Sequence, residues 1–223
     1  MIPKKFVLFD CDGVLVDSEF VASHVLADML AEYGCPVSGD EIMTNHVGQK
    51  DAEIVRFLAE KYELPLPNDF IDQYAKALDV KLEQDLEPLE GMAEVLSVLE
   101  IPRAIVSNST LARIATSLKS TGLDGFFKHS KVFSPDISGF SKPDPRIYLH
   151  AMAELGLDKT DVIVVEDSPT GVRAASEAGL EVIGFLGATH LGADQASKLR
   201  SNGAKYIAQD SIELSKLFRE IFG

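Results

Sequence analysis

Hydrophobic and polar positions along this chain follow two regimes that meet near Glu87. The chain opens on an unbroken apolar run, Phe6-Val7-Leu8-Phe9, too short for a helix and without alternation, which reads as a strand buried on both faces of a parallel sheet. From Ser18 to Gln84 the spacing is helical instead. Ser18 stands as an N-cap before Val21, Val25, Met29 and Leu30; Ile54, Val55 and Leu58 share a second stripe; Pro67-Asn68 opens a third through Phe70, Tyr74 and Leu78. From Gly91 onward helical and strand patterns alternate: Met92 to Leu99, Ala104 to Val106, Thr110 to Ser120, Tyr148 to Leu155, Val162 to Val165, Gly171 to Ala178 and Val182 to Phe185. Such alternation predicts an α/β fold, a parallel sheet with helices on both faces, interrupted after its first strand by a helical insert. The pattern leaves the strand order open.

At 223 residues the chain buries roughly 70% of its unfolded surface or more, enough for one substantial core and a small second unit. The 46% hydrophobic and 25% charged fractions are those of a soluble globular protein. A formal charge of −14 argues against nucleic acid as a partner, and any anionic substrate must meet a local positive site. Cys11 and Cys35 are too few for a disulfide framework or a zinc site. Strand alternation turns Cys11 away from its acidic neighbours, so it reads as buried filler. With no signal-peptide pattern and no apolar run near 18 residues, the expectation is a cytoplasmic protein with no membrane contact.

The chemistry starts where the first strand ends, at Asp10-Cys11-Asp12-Gly13. Open α/β sheets bind ligands at the carboxyl ends of their strands, and two carboxylates two residues apart there are costly to bury without a cation or a proton. Alone, they would also suit a turn with structural carboxylates. Ser107-Asn108 ends a second apolar strand before a helix that Thr110 caps, offering a hydroxyl, an amide and backbone N–H groups to an anion, or forming a simple capping turn. Lys142, set before Pro143 and Pro145, fits a positioned charge on phosphate. Glu166-Asp167 ends the apolar run Val162-Ile163-Val164-Val165, and hard oxygen donors beside a phosphate suit Mg²⁺. Asp17-Ser18-Glu19 reads as the start of the first insert helix, and none of the five His residues shows metal spacing.

Four segments in order, Asp10-Cys11-Asp12-Gly13-Val14-Leu15-Val16-Asp17-Ser18, Ile105-Val106-Ser107-Asn108-Ser109, Ser141-Lys142-Pro143-Asp144-Pro145 and Val164-Val165-Glu166-Asp167-Ser168-Pro169-Thr170-Gly171, resemble the four motifs of the haloacid dehalogenase (HAD) superfamily. Their span covers almost the whole chain. The resemblance implies a Rossmann-like doubly wound core over residues 1–16 and 86–223 and an α-helical cap over 17–85. It implies a phosphatase of small, sugar-like phosphomonoesters in which Asp10 attacks phosphorus, Asp12 is the acid and base, and Ser107, Asn108 and Lys142 hold phosphate. Mg²⁺ would be held by Asp10, the carbonyl of Asp12 and Asp167, with Glu166 as a ligand or as a partner of one.

Specificity in this superfamily lies in the cap, here in Asn45-His46-Val47-Gly48-Gln49-Lys50-Asp51, where Gln49 and Lys50 would hydrogen-bond sugar hydroxyls or a second anionic group unless the segment is a solvated turn. The β-phosphoglucomutases of the superfamily share a Glu-Asp fourth motif but carry a basic residue before the cap Gly and an Arg three positions after it, where this chain has Val47 and Asp51. A mutase is therefore the second expectation. Asp12 argues against a dehalogenase, and Lys50 lacks a context that would make it a Schiff-base lysine. A non-catalytic phosphometabolite binder would have no need of a second Asp. The chain is expected to act as a monomer or weak homodimer.

Overall fold

A computed structural model of the chain describes residues 4–46, 49, 51–188, 191–192 and 194–223. Strand β1 (Phe6–Phe9) leads into four consecutive helices, α1 (Ser18–Ala31), α2 (Gly39–Asn45), α3 (Asp51–Tyr62) and α4 (Phe70–Asp85). The chain then alternates through α5 (Met92–Val98), β2 (Arg103–Val106), α6 (Leu111–Ser120), α7 (Asp124–Phe127), β3 (Val132–Phe133), α8 (Pro135–Ser138) and α9 (Arg146–Leu155). It closes with β4 (Val162–Glu166), α10 (Pro169–Glu177), β5 (Glu181–Phe185), α11 (Gln195–Ser201), β6 (Tyr206–Ala208) and α12 (Ser211–Phe222). The expected α/β architecture is present, with one parallel sheet in the order β3-β2-β1-β4-β5-β6.

That order puts the point where strand succession reverses between β1 and β4, where open sheets leave a crevice at their carboxyl ends. Phe9 pairs with Ile105 on one side and Val165 on the other, so the residues that follow all three strands emerge together. Alternation across the strands builds two cores. Val7, Phe9, Ile105, Val165 and Ile183 face one side, with Met92, Leu96, Leu214 and Phe218 of α5 and α12. Leu8, Ala104, Val106, Val164 and Val182 face the other, with Ile147, Tyr148 and Val172 of α9 and α10. Because β1 and β4 are covered on both faces, their unbroken apolar runs are what such strands need.

The helical insert leaves and rejoins the sheet side by side. Val16 bridges Pro88, Leu89 N–H donates to the Leu15 carbonyl at 3.0 Å, and Asp17 N–H donates to the Glu87 carbonyl at 3.3 Å. Two expectations are revised here. Ser18 does not cap α1: Asp17 occupies the cap position, and the Ser18 hydroxyl is turned to Asp12 instead. Helix α2 leaves no mark in the periodicity, because only Gly39 and Ile42 are buried along its seven residues; it starts on a capping box in which Ser38 and Glu41 satisfy each other's backbone N–H groups. Among the described residues, no helix is long and apolar enough to cross a membrane.

Candidate active site

Asp10 is held where β1 ends: its N–H extends the ladder to the Val165 carbonyl at 3.0 Å, and its Oδ1 accepts from the Cys11 N–H at 2.7 Å. Lys142 reaches the same oxygen, with Nζ at 2.8 Å, and lies 2.5 Å from Glu166 Oε1. Its backbone is clamped by Asn108, whose Oδ1 accepts from the Lys142 N–H at 2.7 Å while Nδ2 donates to the Lys142 carbonyl at 3.1 Å. Asn108 thus ties the end of β2 to the lysine loop. Glu166, fully buried, also accepts from the Tyr148 hydroxyl at 2.8 Å and from Ser168 Oγ at 3.2 Å. Burial works against the Lys142 ammonium, but Asp10 and Glu166 outweigh it and hold its pKa above the ordinary range.

Asp12 faces the cleft from the turn after β1. Its Oδ1 accepts from Ser18 Oγ at 2.6 Å and its Oδ2 from Ser109 Oγ at 2.7 Å. Ser107, buried at the end of β2, accepts from the Ser109 N–H at 3.0 Å, which sets the turn that presents Ser109. Ser109 is a site residue that no sequence signal singles out.

The turn requires Gly13, which has φ +75° and sits so close to Asp167 that any Cβ there would run into its carboxylate. Gly171 makes the same allowance for the Glu166 carboxylate, which occupies the space a side chain would need. Asp167 is also tethered by its carbonyl, which accepts from Gln195 Nε2 at 2.6 Å; Gln195, buried in α11, carries no sequence signal.

Asp10, Glu166 and Asp167 offer oxygens that all lie within 4.8 Å of one another. Three buried carboxylates thus face one ammonium. Burial raises the pKa of Asp10 well above the carboxylate range, Glu166 adds to it and Lys142 opposes it. Asp167 is raised likewise, by burial and then by Asp10 and Glu166. An all-oxygen donor set with negative charge in excess fits Mg²⁺ and gives no nitrogen or sulfur donor to a softer metal. The Asp12 side chain, engaged by two hydroxyls, stands apart from this set, leaving its backbone carbonyl as the group that the resemblance assigns to the ion.

These residues open into a cleft of about 1000 Å³ between the sheet's carboxyl edge and the helical insert. The insert contributes Glu19, Ser23, His46, Gln49, Asp51, Asp79 and Glu83 to its walls. Gln49 is exposed, with Oε1 3.2 Å from His46 Nδ1. Val47, Gly48 and Lys50 lie outside the described residues. Burial, followed by Asp12, Asp51 and Asp17, pushes Glu19 up to about 7.

Comparison with known proteins agrees with the four-motif reading. The 6-phosphogluconate phosphatase of Escherichia coli is 29% identical over 82% of this chain and 83% of that protein. A phosphorylated carbohydrates phosphatase of Thermotoga maritima is 27% identical over 92% and 95%. A crystal structure of a HAD family hydrolase from Deinococcus radiodurans, with bound phosphate and sodium, is 32% identical, superposes with a TM-score of 0.87 and covers 99% of this chain and 97% of that one. The family model of the haloacid dehalogenase-like hydrolases matches residues 7–185, from β1 through β5 and all four motifs, and this chain belongs to that family.

Proposed function

We propose that this chain is a Mg²⁺-dependent phosphatase that hydrolyses a small, sugar-like phosphomonoester through an aspartyl-phosphate on Asp10. The observation that carries the reading is the Lys142 ammonium 2.8 Å from Asp10, with Asp12 held beside it by two hydroxyls. A carboxylate is a weak nucleophile unless the charge on the phosphoryl oxygens is neutralised. Lys142 supplies one cation to those oxygens, and Ser107 with the N–H groups before α6 supplies hydrogen bonds. When bound between Asp10, the Asp12 carbonyl and Asp167, Mg²⁺ supplies the remaining positive charge; Glu166 serves chiefly to hold Lys142.

In the first step an Asp10 oxygen bonds to phosphorus as the bond to the leaving oxygen breaks, and Asp12 gives that oxygen its proton. In the second, Asp12 takes a proton from water as the water attacks phosphorus, releasing inorganic phosphate and restoring Asp10. Ser18 and Ser109 keep the Asp12 carboxyl aimed at both positions while it cycles its proton. The helical insert acts as the cap over the leaving group, with Gln49 on that side. Named relatives that act on phosphogluconate and phosphorylated carbohydrates support a sugar-like leaving group. Asp51, where the resembling mutases carry an Arg, weighs against retention of a bisphosphate for mutation.

The test is release of inorganic phosphate from an aryl phosphate and a panel of sugar phosphates, with Mg²⁺ and with chelator. We expect turnover that needs Mg²⁺ and is lost in Asp10→Asn. Wild-type rates in Asp10→Asn would refute the assignment.

A further inference from the structure

The charge on the leaving-group side of the cleft narrows the substrate class, an inference that rests on the phosphatase reading above. Three lysine or arginine side chains line the cleft among the described residues, and each already has an acidic partner; His46 lines it too, beside Gln49. Lys142 is engaged by Asp10 and Glu166 at the phosphate end. Arg113, on α6, sends Nη2 to 2.8 Å and Nε to 3.2 Å from Asp79 Oδ1 across the cleft on α4. Lys198, on α11, lies 2.9 Å from Asp194 Oδ2. The acids Glu19, Asp51 and Glu83 line the same walls and form no ion pair among the described residues. The Tyr74 hydroxyl donates to the Ala22 carbonyl at 3.3 Å, and Glu19 is raised first by burial and then by Asp12, Asp51 and Asp17.

We propose that this half of the cleft selects a leaving group that is uncharged and rich in hydroxyls, and excludes one that bears a second anion such as a carboxylate or another phosphate. Carboxylates accept hydrogen bonds and donate none, so they match hydroxyl donors, while an anion among them meets like charge. The Arg113 guanidinium, which would otherwise receive such an anion, is held by Asp79. The relative from Escherichia coli is named for a substrate that does carry a carboxylate, so the inference predicts a difference from it.

A matched pair of substrates isolates the effect: glucitol 6-phosphate and gluconate 6-phosphate differ only in a terminal alcohol against a carboxylate. With Mg²⁺ in large excess, phosphate release should give kcat/KM at least about tenfold higher for glucitol 6-phosphate, since one repulsive contact of this kind is worth about a factor of ten. Asp79→Ala, which frees Arg113, should shrink or reverse that ratio, and adding Arg113→Ala should bring the ratio back. Asp51→Asn, which removes charge without touching the pair, should move it in the same direction as Asp79→Ala. A wild-type preference for gluconate 6-phosphate, or a ratio that neither Asp79→Ala nor Asp51→Asn moves, would overturn the proposal. Failure to hydrolyse even an aryl phosphate would instead overturn the phosphatase reading on which it stands.

Discussion

Removing the metal should destabilise this protein in a pH-dependent way whose sign follows from the buried carboxylates. An unfolded Asp titrates near ~3.9, whereas burial and mutual repulsion raise Asp10 and Asp167 well above that in the folded chain. A folded-state pKa that is raised means the native state holds more protons than the unfolded one. Their contribution to stability is therefore fully present below about pH 4 and is lost as pH climbs through the folded-state values. Mg²⁺ competes with those protons, so its stabilising effect should grow with pH. At about 100 times its dissociation constant a ligand adds ~2.7 kcal/mol, which for a chain of this size shifts Tm by roughly 5–10 °C. The assay is a set of thermal melts at matched ionic strength in Mg²⁺ or in chelator, from about pH 5 to pH 8. The expected difference is near the full value at the alkaline end and shrinks toward the acid end. Asp167→Asn should abolish the difference and, by removing one buried charge, raise Tm of the metal-free protein at the alkaline end. A Mg²⁺ effect that is absent at neutral pH, or unchanged on acidification, would refute the reasoning.

Two other substitutions probe the turn after β1. Asp12→Asn should slow an alkyl phosphate by ~10²–10⁴-fold but an aryl phosphate much less, because a phenolate leaves without a proton; equal damage in steady-state kinetics with both substrates would contradict the acid role. Gly13→Ala should cost ~1–2 kcal/mol in backbone strain and also push Asp167 aside, raising the Mg²⁺ concentration for half-maximal activity by about tenfold or more. Gly122→Ala, at φ +68° with nothing within 4 Å of its Cβ, should lower Tm comparably and leave the metal dependence unchanged.

What is legible in the sequence tracks how strongly burial writes itself into the residue pattern. Strands β1 and β4 sit at the centre of the sheet, are apolar almost throughout, and are readable as runs. Strands β3, of two residues, and β6, of three, lie at the two edges and are only partly buried, so no period marks them. Strand order emerges only from the pairing of β1 with both β2 and β4. The charged members of the site are readable because acids and a lysine at strand ends are costly without a purpose. Ser109 and Gln195 are not, since a serine after a strand and a glutamine in a short helix are ordinary until Asp12 and the Asp167 carbonyl are found opposite them. Asn108 reads from sequence as a group for an anion, whereas the structure shows its amide oxygen and one amide hydrogen engaged by the Lys142 backbone.

The central claim is that phosphate passes through a covalent bond to Asp10. Acid quenching within the first turnover of a substrate radiolabelled on phosphorus, followed by proteolysis and peptide mapping, tests it most directly. The account predicts label that is released by hydroxylamine, as an acyl phosphate is, on the peptide containing Asp10, accumulating further in Asp12→Asn because the second proton transfer is slowed. Phosphate released in that same turnover with no label on protein, or with label on a residue other than Asp10, would contradict it.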